Sequence, residues 1–170
     1  ESDASIMSEV AIKCINEALQ KAGLTKEDLQ ERTSGLCLGT SVGASFPILQ
    51  RIKKSVEQQE DDYELALYST PKILGKIARE FKLNGYVSAI STACASGTNS
   101  IGRAFDLVEN GKADVMISGG IDIFTELTYT GFNSLQAISK TKCKPFSKTR
   151  DGMSLGDACA ILVIESLDAA

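Results

Sequence analysis

The stretch Tyr86–Val108, YVSAISTACASGTNSIGRAFDLV, decides the reading of the fold. Tyr86 to Ser91 are short, β-branched and aromatic residues of the kind a buried strand uses. Thr92-Ala93-Cys94-Ala95-Ser96-Gly97 are all small. Beyond them Ile101, Ala104, Phe105 and Val108 recur at steps of three and four, the period of a helix. The stretch therefore predicts a strand, a tight turn and a helix, with Cys94 at the corner. A thiol there meets unpaired backbone N–H groups and the positive end of the helix dipole, which favour an anion. That preference is worth about 0.3–1 kcal/mol when exposed and up to ~2 kcal/mol when partly buried. The thiolate is the nucleophilic form of cysteine, so Cys94 is the candidate for covalent catalysis.

Downstream, Asn110-Gly111 closes the helix and Ala113 to Ser118 reads as another strand, giving a right-handed βαβ unit with parallel strands over 86–118. Gly119-Gly120 lacks the spacing of a phosphate loop and is read as close backbone packing. Residues 125–139 are expected to form a loop and an irregular helix ending in Leu135–Ser139. Lys140 to Arg150 is basic within an acidic chain, and Ala158–Glu165, ACAILVIE, reads as a strand buried on both faces. Upstream, Ile6, Met7, Val10, Ala11, Cys14, Ile15, Ala18, Leu19 and Ala22 mark the apolar side of a helix capped by Gly23, with Cys14 a core thiol. Thr25 opens a short capped helix. A strand follows at Leu36–Thr40, then a helix over 46–59 with an acidic, solvated end, then a helix from Thr70-Pro71 through Phe81.

The totals bound the function. At 170 residues, with 43% hydrophobic residues and 14 glycines, the chain suits one α/β domain with a sizeable core. A formal charge of −4 argues against non-specific nucleic-acid binding. No long apolar run or charged-then-apolar leader stands in the sequence, and a cytoplasmic protein is expected. Its 5 cysteines form no C-x-x-C pair, which favours reduced thiols over a disulfide frame or a zinc site, and Cys37, Cys143 and Cys159 are read as structural or incidental. Histidine is absent altogether. Within these residues there is thus no Ser-His-Asp triad, no Cys-His dyad and no histidine-ligated metal site. The base that would serve Cys94 must lie elsewhere, and the missing initiator methionine is read as the mark of a fragment.

Thr92-Ala93-Cys94-Ala95-Ser96-Gly97 resembles the active-site turn of the β-ketoacyl-(acyl carrier protein) synthases. Leu38-Gly39-Thr40-Ser41-Val42-Gly43, Ala113–Gly120, Lys144-Pro145-Phe146-Ser147-Lys148-Thr149-Arg150-Asp151-Gly152 and Gly156-Asp157 are similar to further motifs of that family, in its order. The chain departs from the pattern at Ala158-Cys159-Ala160, where G-A-G is common, and at Ser147, where aspartate is usual. It also has a shorter segment between Ser139 and Lys144 and no basic residue near Gln136. The resemblance implies an α/β, thiolase-like layered fold with a mainly parallel sheet flanked by helices. Residues 1–170 would be its N-terminal domain, with the family's opening strand before Glu1 and its C-terminal half, bearing two histidines and a lysine, after Ala170.

By the same resemblance, of the synthase II type, Cys94 is the acyl-accepting nucleophile and its backbone N–H part of an oxyanion hole. The reaction implied is acyl transfer from acyl carrier protein, then decarboxylative condensation with malonyl carrier protein, in fatty-acid or polyketide synthesis. No cofactor is expected, phosphopantetheine being carried by the acyl carrier protein, and no metal, nucleic acid or membrane. The expected partners are acyl carrier protein, its acyl and malonyl thioesters, and a second subunit in a homodimer or related heterodimer joined near residues 113–119. This piece alone is expected to be inactive in condensation. The other readings are a non-catalytic chain-length-determining subunit, in which the cysteine is typically replaced, a folding or dimerisation module, and a cysteine hydrolase that would also lack its base.

Overall fold

The computed structural model describes residues 4–43, 52–57 and 70–170. Its elements run α1 (Ala4–Ala22), α2 (Lys26–Glu31), β1 (Ser34–Gly39), α3 (Thr70–Glu80), β2 (Val87–Ile90), α4 (Ser96–Glu109), β3 (Val115–Asp122), α5 (Glu126–Ser134) and β4 (Ala158–Glu165). Residues 52–57 are helical, within the helix expected over 46–59; the rest of that stretch and most of its acidic end lie outside the described residues.

Local chemistry sets the element ends. Gly23 takes φ 71° after α1, a conformation without penalty only for glycine. Thr25 and Asp28 make a reciprocal capping box at α2. Asn84 accepts from the Ser34 N–H at 3.0 Å and donates to the Arg32 carbonyl at 2.9 Å, so the turn before β2 is fastened to the start of β1.

The sheet order is β2-β1-β3-β4. β1 pairs in parallel with both neighbours, Leu36 opposite Val87 on one side and Ile117 on the other. β4 runs antiparallel to β3, Val115 opposite Glu165 and Asp122 opposite Ala158. The sheet is mixed but mainly parallel, with helices on both faces. Within 86–118 the strands are parallel as expected, but β1 stands between them. β3 is hydrogen-bonded on both edges, so residues 113–119 cannot add a strand from a second subunit. Among the described strands the open edges belong to β2 and β4.

The faces differ in composition because side chains alternate along a strand. One face presents Leu36, Leu38, Val115, Ile117 and Ile121 to Met7, Ala11, Ile15 and Leu19 of α1 and to Ile73, Leu74 and Ile77 of α3. Phe81, fully buried just after α3, completes that cluster. The opposite face offers Cys37, Met116, Ser118 and two glycines, Gly39 and Gly120, to α4. Arg32 ties the end of α2 to Glu165 of β4 at 2.6 Å, and Lys26 ties α2 to Glu80 of α3 at 2.6 Å.

Several expectations need correction. β2 is not buried: Val87 and Ala89 are exposed, as on an edge strand with neighbours on one side only. β4 alternates rather than being buried on both faces; Cys159, Ile161 and Val163 lean on the large-residue core while Leu162 is half exposed on the other side. The helix of 125–139 comes earlier than read, since Thr125 caps α5 at Glu126 and Gln136 takes φ 54° beyond its end. In α1 the buried line is Met7, Ala11, Ile15 and Leu19, and Cys14 is only half buried beside exposed Ile6 and Val10. α4 presses Ser96, Ser100, Ala104 and Leu107 inward, with Val108 packed beside them, and leaves Phe105 exposed, so only part of the expected apolar line faces the sheet.

Candidate active site

Cys94 follows β2 and precedes Ala95, the N-cap of α4, so the turn places its thiol at the helix N-terminus as the spacing implies. The residue before it, Ala93, has φ 52°. A left-handed conformation costs a residue with a Cβ about 1–2 kcal/mol, and the turn holds it with hydrogen bonds. The Ser96 hydroxyl donates to the Ala93 carbonyl at 2.6 Å and accepts from the Thr92 N–H at 2.9 Å. The Ser96 N–H also donates to the Ala93 carbonyl, at 3.0 Å. Asn99 donates to the Thr92 hydroxyl at 2.7 Å. Ser96 is buried and Cys94 exposed, so the fastening is internal and the sulfur is presented outward.

Close approach of α4 to the sheet depends on missing side chains. A Cβ on Gly39 would lie 2.3 Å from the Ser96 carbonyl oxygen and 2.5 Å from the Gly97 nitrogen. A Cβ on Gly120 would come within 3.2 Å of the Gly97 Cα, and one on Gly119 within 2.0 Å of the Ala160 oxygen. Gly119-Gly120 therefore serves close packing, as read from the sequence. Where the backbones meet, Ser100 donates to the Gly119 carbonyl at 2.5 Å and Ser118 to the Cys37 carbonyl at 2.9 Å.

A second brace comes from the far end of β3. The Asp122 carboxylate accepts from the Thr40 hydroxyl at 2.7 Å and the Ser41 N–H at 2.8 Å. The Ser41 hydroxyl in turn donates to the Ala93 carbonyl at 3.2 Å. This chain of contacts links β3, the end of β1 and the residue beside Cys94. The sequence reading missed Asp122, Ser41, Ser96 and Asn99; their signal was polar residues at the ends of strands and in the first turn of a helix.

Cys94 lines a cleft of about 450 Å³ together with Ser41, Gly97, Ile101, Gly120, Asp122 and Leu162, and most of its lining surface is apolar. Among the described residues no cluster of histidine, cysteine, aspartate and glutamate could hold a metal ion, and no helix is long and apolar enough to cross a membrane.

The motif 144–152 forms a braced loop. Asp151 accepts from the Ser139 hydroxyl at 2.7 Å, which holds its carboxyl below the ordinary aspartate range, while Arg150 donates to the Ser147 carbonyl at 3.1 Å. Arg150 and Asp151 thus shape the turn separately and form no ion pair with each other. Gly152, at φ 151°, lies where a Cβ would meet the Ser139 nitrogen at 2.4 Å. Asp157 accepts from the Phe124 N–H and fixes the exit of β3 to the entry of β4. Lys140, Lys142, Lys144 and Lys148 are all exposed. Cys37 is buried, and burial pushes its thiol up, as suits a structural cysteine.

Residues 2–170 match the family profile described as "Beta-ketoacyl synthase, N-terminal domain". The "3-oxoacyl-[acyl-carrier-protein] synthase 2" of Staphylococcus aureus (strain N315) is 33% identical over 172 residues, covering 96% of this chain and 42% of that protein. Among solved structures, "The ishigamide ketosynthase/chain length factor" superposes with a TM-score of 0.87 at 29% identity, over 96% of this chain and 42% of that one. A type II PKS acyl-carrier protein in complex with its ketosynthase gives 0.84 at 24% identity, over 99% of this chain and 45% of that one, a likeness of fold. The fold is thiolase-like, and the chain spans less than half the length of these relatives.

Proposed function

The chain belongs to the β-ketoacyl synthase family, as its N-terminal domain, and on that premise we propose that it carries the acyl-accepting half of a 3-oxoacyl-(acyl carrier protein) synthase site, with Cys94 as nucleophile. The observation that carries this reading is the exposed Cys94 sulfur at the head of α4, opening on an apolar cleft.

The thiolate attacks the carbonyl carbon of an acyl thioester. Negative charge then develops on the carbonyl oxygen, to which the Cys94 N–H donates; such a donor is worth about 2.7–4 kcal/mol in other enzymes. Collapse of the tetrahedral adduct forms the acyl-cysteine and expels the phosphopantetheine thiol of the carrier protein. In the second stage malonyl carrier protein loses carbon dioxide, its carbanion attacks the acyl-cysteine, and Cys94 leaves. Proton management in that stage requires groups this histidine-free chain does not supply. The small residues Ala93 and Ala95 leave room for the thioester to approach, and the apolar walls suit an acyl chain.

Lys140, Lys142, Lys144 and Lys148, exposed on the braced loop, are the proposed attraction for an acidic carrier protein. Assembly with a second subunit uses an open sheet edge, β2 or β4, since β3 has none. The test is to incubate the complete parent protein with mass-labelled acyl carrier protein and map the adduct. Acyl transfer is expected on the Cys94 peptide and is abolished by Cys94→Ala; an adduct surviving that substitution overturns the reading. Reversing two of the four lysines should raise KM for the carrier-linked substrate several-fold, with the effect shrinking as salt is added. A chain-length partner is the second reading, favoured by the name of one similar structure. Absence of any acyl adduct from the wild-type protein would select it.

A further inference from the structure

A pair of thiols outside the Cys94 site has no part in that chemistry. Cys14 of α1 and Cys159 of β4 line one apolar groove with Ile6, Val10, Ile123 and Phe124. Both are half buried on the wall of that groove. They lie on the sheet face that carries α1, where Cys159 packs against the large-residue core beside Ile161 and Val163. Two cysteines from elements far apart in sequence thus meet at one packed junction that is still open to solvent.

We propose that Cys14 and Cys159 form a reversible oxidation site, which hydrogen peroxide converts to a disulfide joining α1 to β4. In the first step the Cys14 thiolate attacks the peroxide, an S–O bond forms, the O–O bond breaks, and the departing hydroxide takes a proton to leave as water. In the second, the Cys159 sulfur attacks the sulfenic sulfur, the S–S bond forms, the S–O bond breaks, and a second water leaves with the thiol proton. The two thiols give up two electrons and the peroxide takes them. The order follows from the surroundings of Cys159. Burial and the neighbouring Cys14 push its thiol up, so the first attack is assigned to Cys14, and Cys159 gives up its proton only as the S–O bond breaks. An adjacent second thiol also traps the sulfenic acid before further oxidation. Cys94 has no other cysteine in its cleft, so the same oxidant carries it on to irreversible acids.

The experiment treats the whole chain with hydrogen peroxide, alkylates the remaining thiols and maps the peptides without reduction. The expected product is a cross-linked pair containing Cys14 and Cys159 that dithiothreitol separates. The link closes a loop over most of the chain, so the thermal midpoint should rise by on the order of 10 °C. Cys159→Ser should remove both effects and leave Cys14 as a sulfenic acid that dimedone captures. Oxidation of Cys94 in the same digest shows that peroxide reached the protein. If Cys94 is oxidised while Cys14 and Cys159 both remain open to alkylation, or if either is found linked to a different cysteine, the proposal is overturned.

Discussion

The two faces of the sheet solve opposite problems. Toward α1 and α3 the strands present leucine, isoleucine and valine, and the helices stand off at the distance those side chains dictate. Toward α4 the same strands present glycine, serine and cysteine, and the helix backbone comes into contact with them. The first face stabilises by removing apolar area from water, at about 25 cal/mol per Å². The second gives up much of that gain and obtains position: the N-terminus of α4, and with it Cys94, is set by backbone against backbone. Stability and placement are therefore carried on separate faces.

Substitutions that cross this division test it. Ile117→Ala, fully buried on the large-residue face, should cost about 2–5 kcal/mol in urea unfolding while leaving the rate of the proposed Cys94 acylation nearly unchanged at permissive temperature. A comparable loss of rate would mean that the faces are not separable. Gly39→Ala, on the small-residue face, should cost less, about 1–3 kcal/mol, yet lower acylation sharply, because the new methyl displaces the Ser96–Gly97 backbone. Ser118→Ala removes one buried hydrogen bond between strands and should cost about 0.5–1.5 kcal/mol, read as a shift in denaturation midpoint at constant m-value.

The smallest effect lies on the outer surface of the α1 side. The Thr25 backbone and hydroxyl bonds hold Asp28 below its ordinary value, and Lys26 does the same for Glu80. A folded pKa below the unfolded one contributes stability that is present above the unfolded value and lost as pH falls through the folded one. The thermal midpoint should thus decline on acidification below about pH 4, and Asp28→Asn should flatten that decline slightly. An unchanged pH profile in the variant would remove Asp28 from the account.

Legibility from sequence divides along the same line. The helix of Ala4–Ala22, the capped turn at Thr25 and the bounds of Ala158–Glu165 were readable because periodicity and capping are local. The corner at Cys94 was readable too, since a run of small residues between a strand and a helix has few other uses. The inward face of α4 was not. Periodicity counts apolar side chains and pointed to Ile101, Ala104, Phe105 and Val108; Ala104 is indeed buried, but Ser96 and Ser100, which make the contact beside it, are small and polar and carry no such signal. Burial of β2 and β4 was overestimated for a related reason: composition shows that a strand is apolar, and only topology shows that it lies at an edge. The Asp122–Ser41–Ala93 chain joins parts of the sequence no local pattern connects.

The position of β1 between β2 and β3 also has a consequence in time. The Cys37 carbonyl waits for a hydroxyl 81 residues further along the chain. Pairings of that span are slow to form, because the loop must close before any contact rewards it. During synthesis at about 5–20 residues per second, the central strand is made roughly 4–16 s before its second neighbour. For that interval Ser34–Gly39 keeps at least one edge unpaired on a nascent chain, first both and then, once Val87–Ile90 is made, the edge that awaits Val115–Asp122.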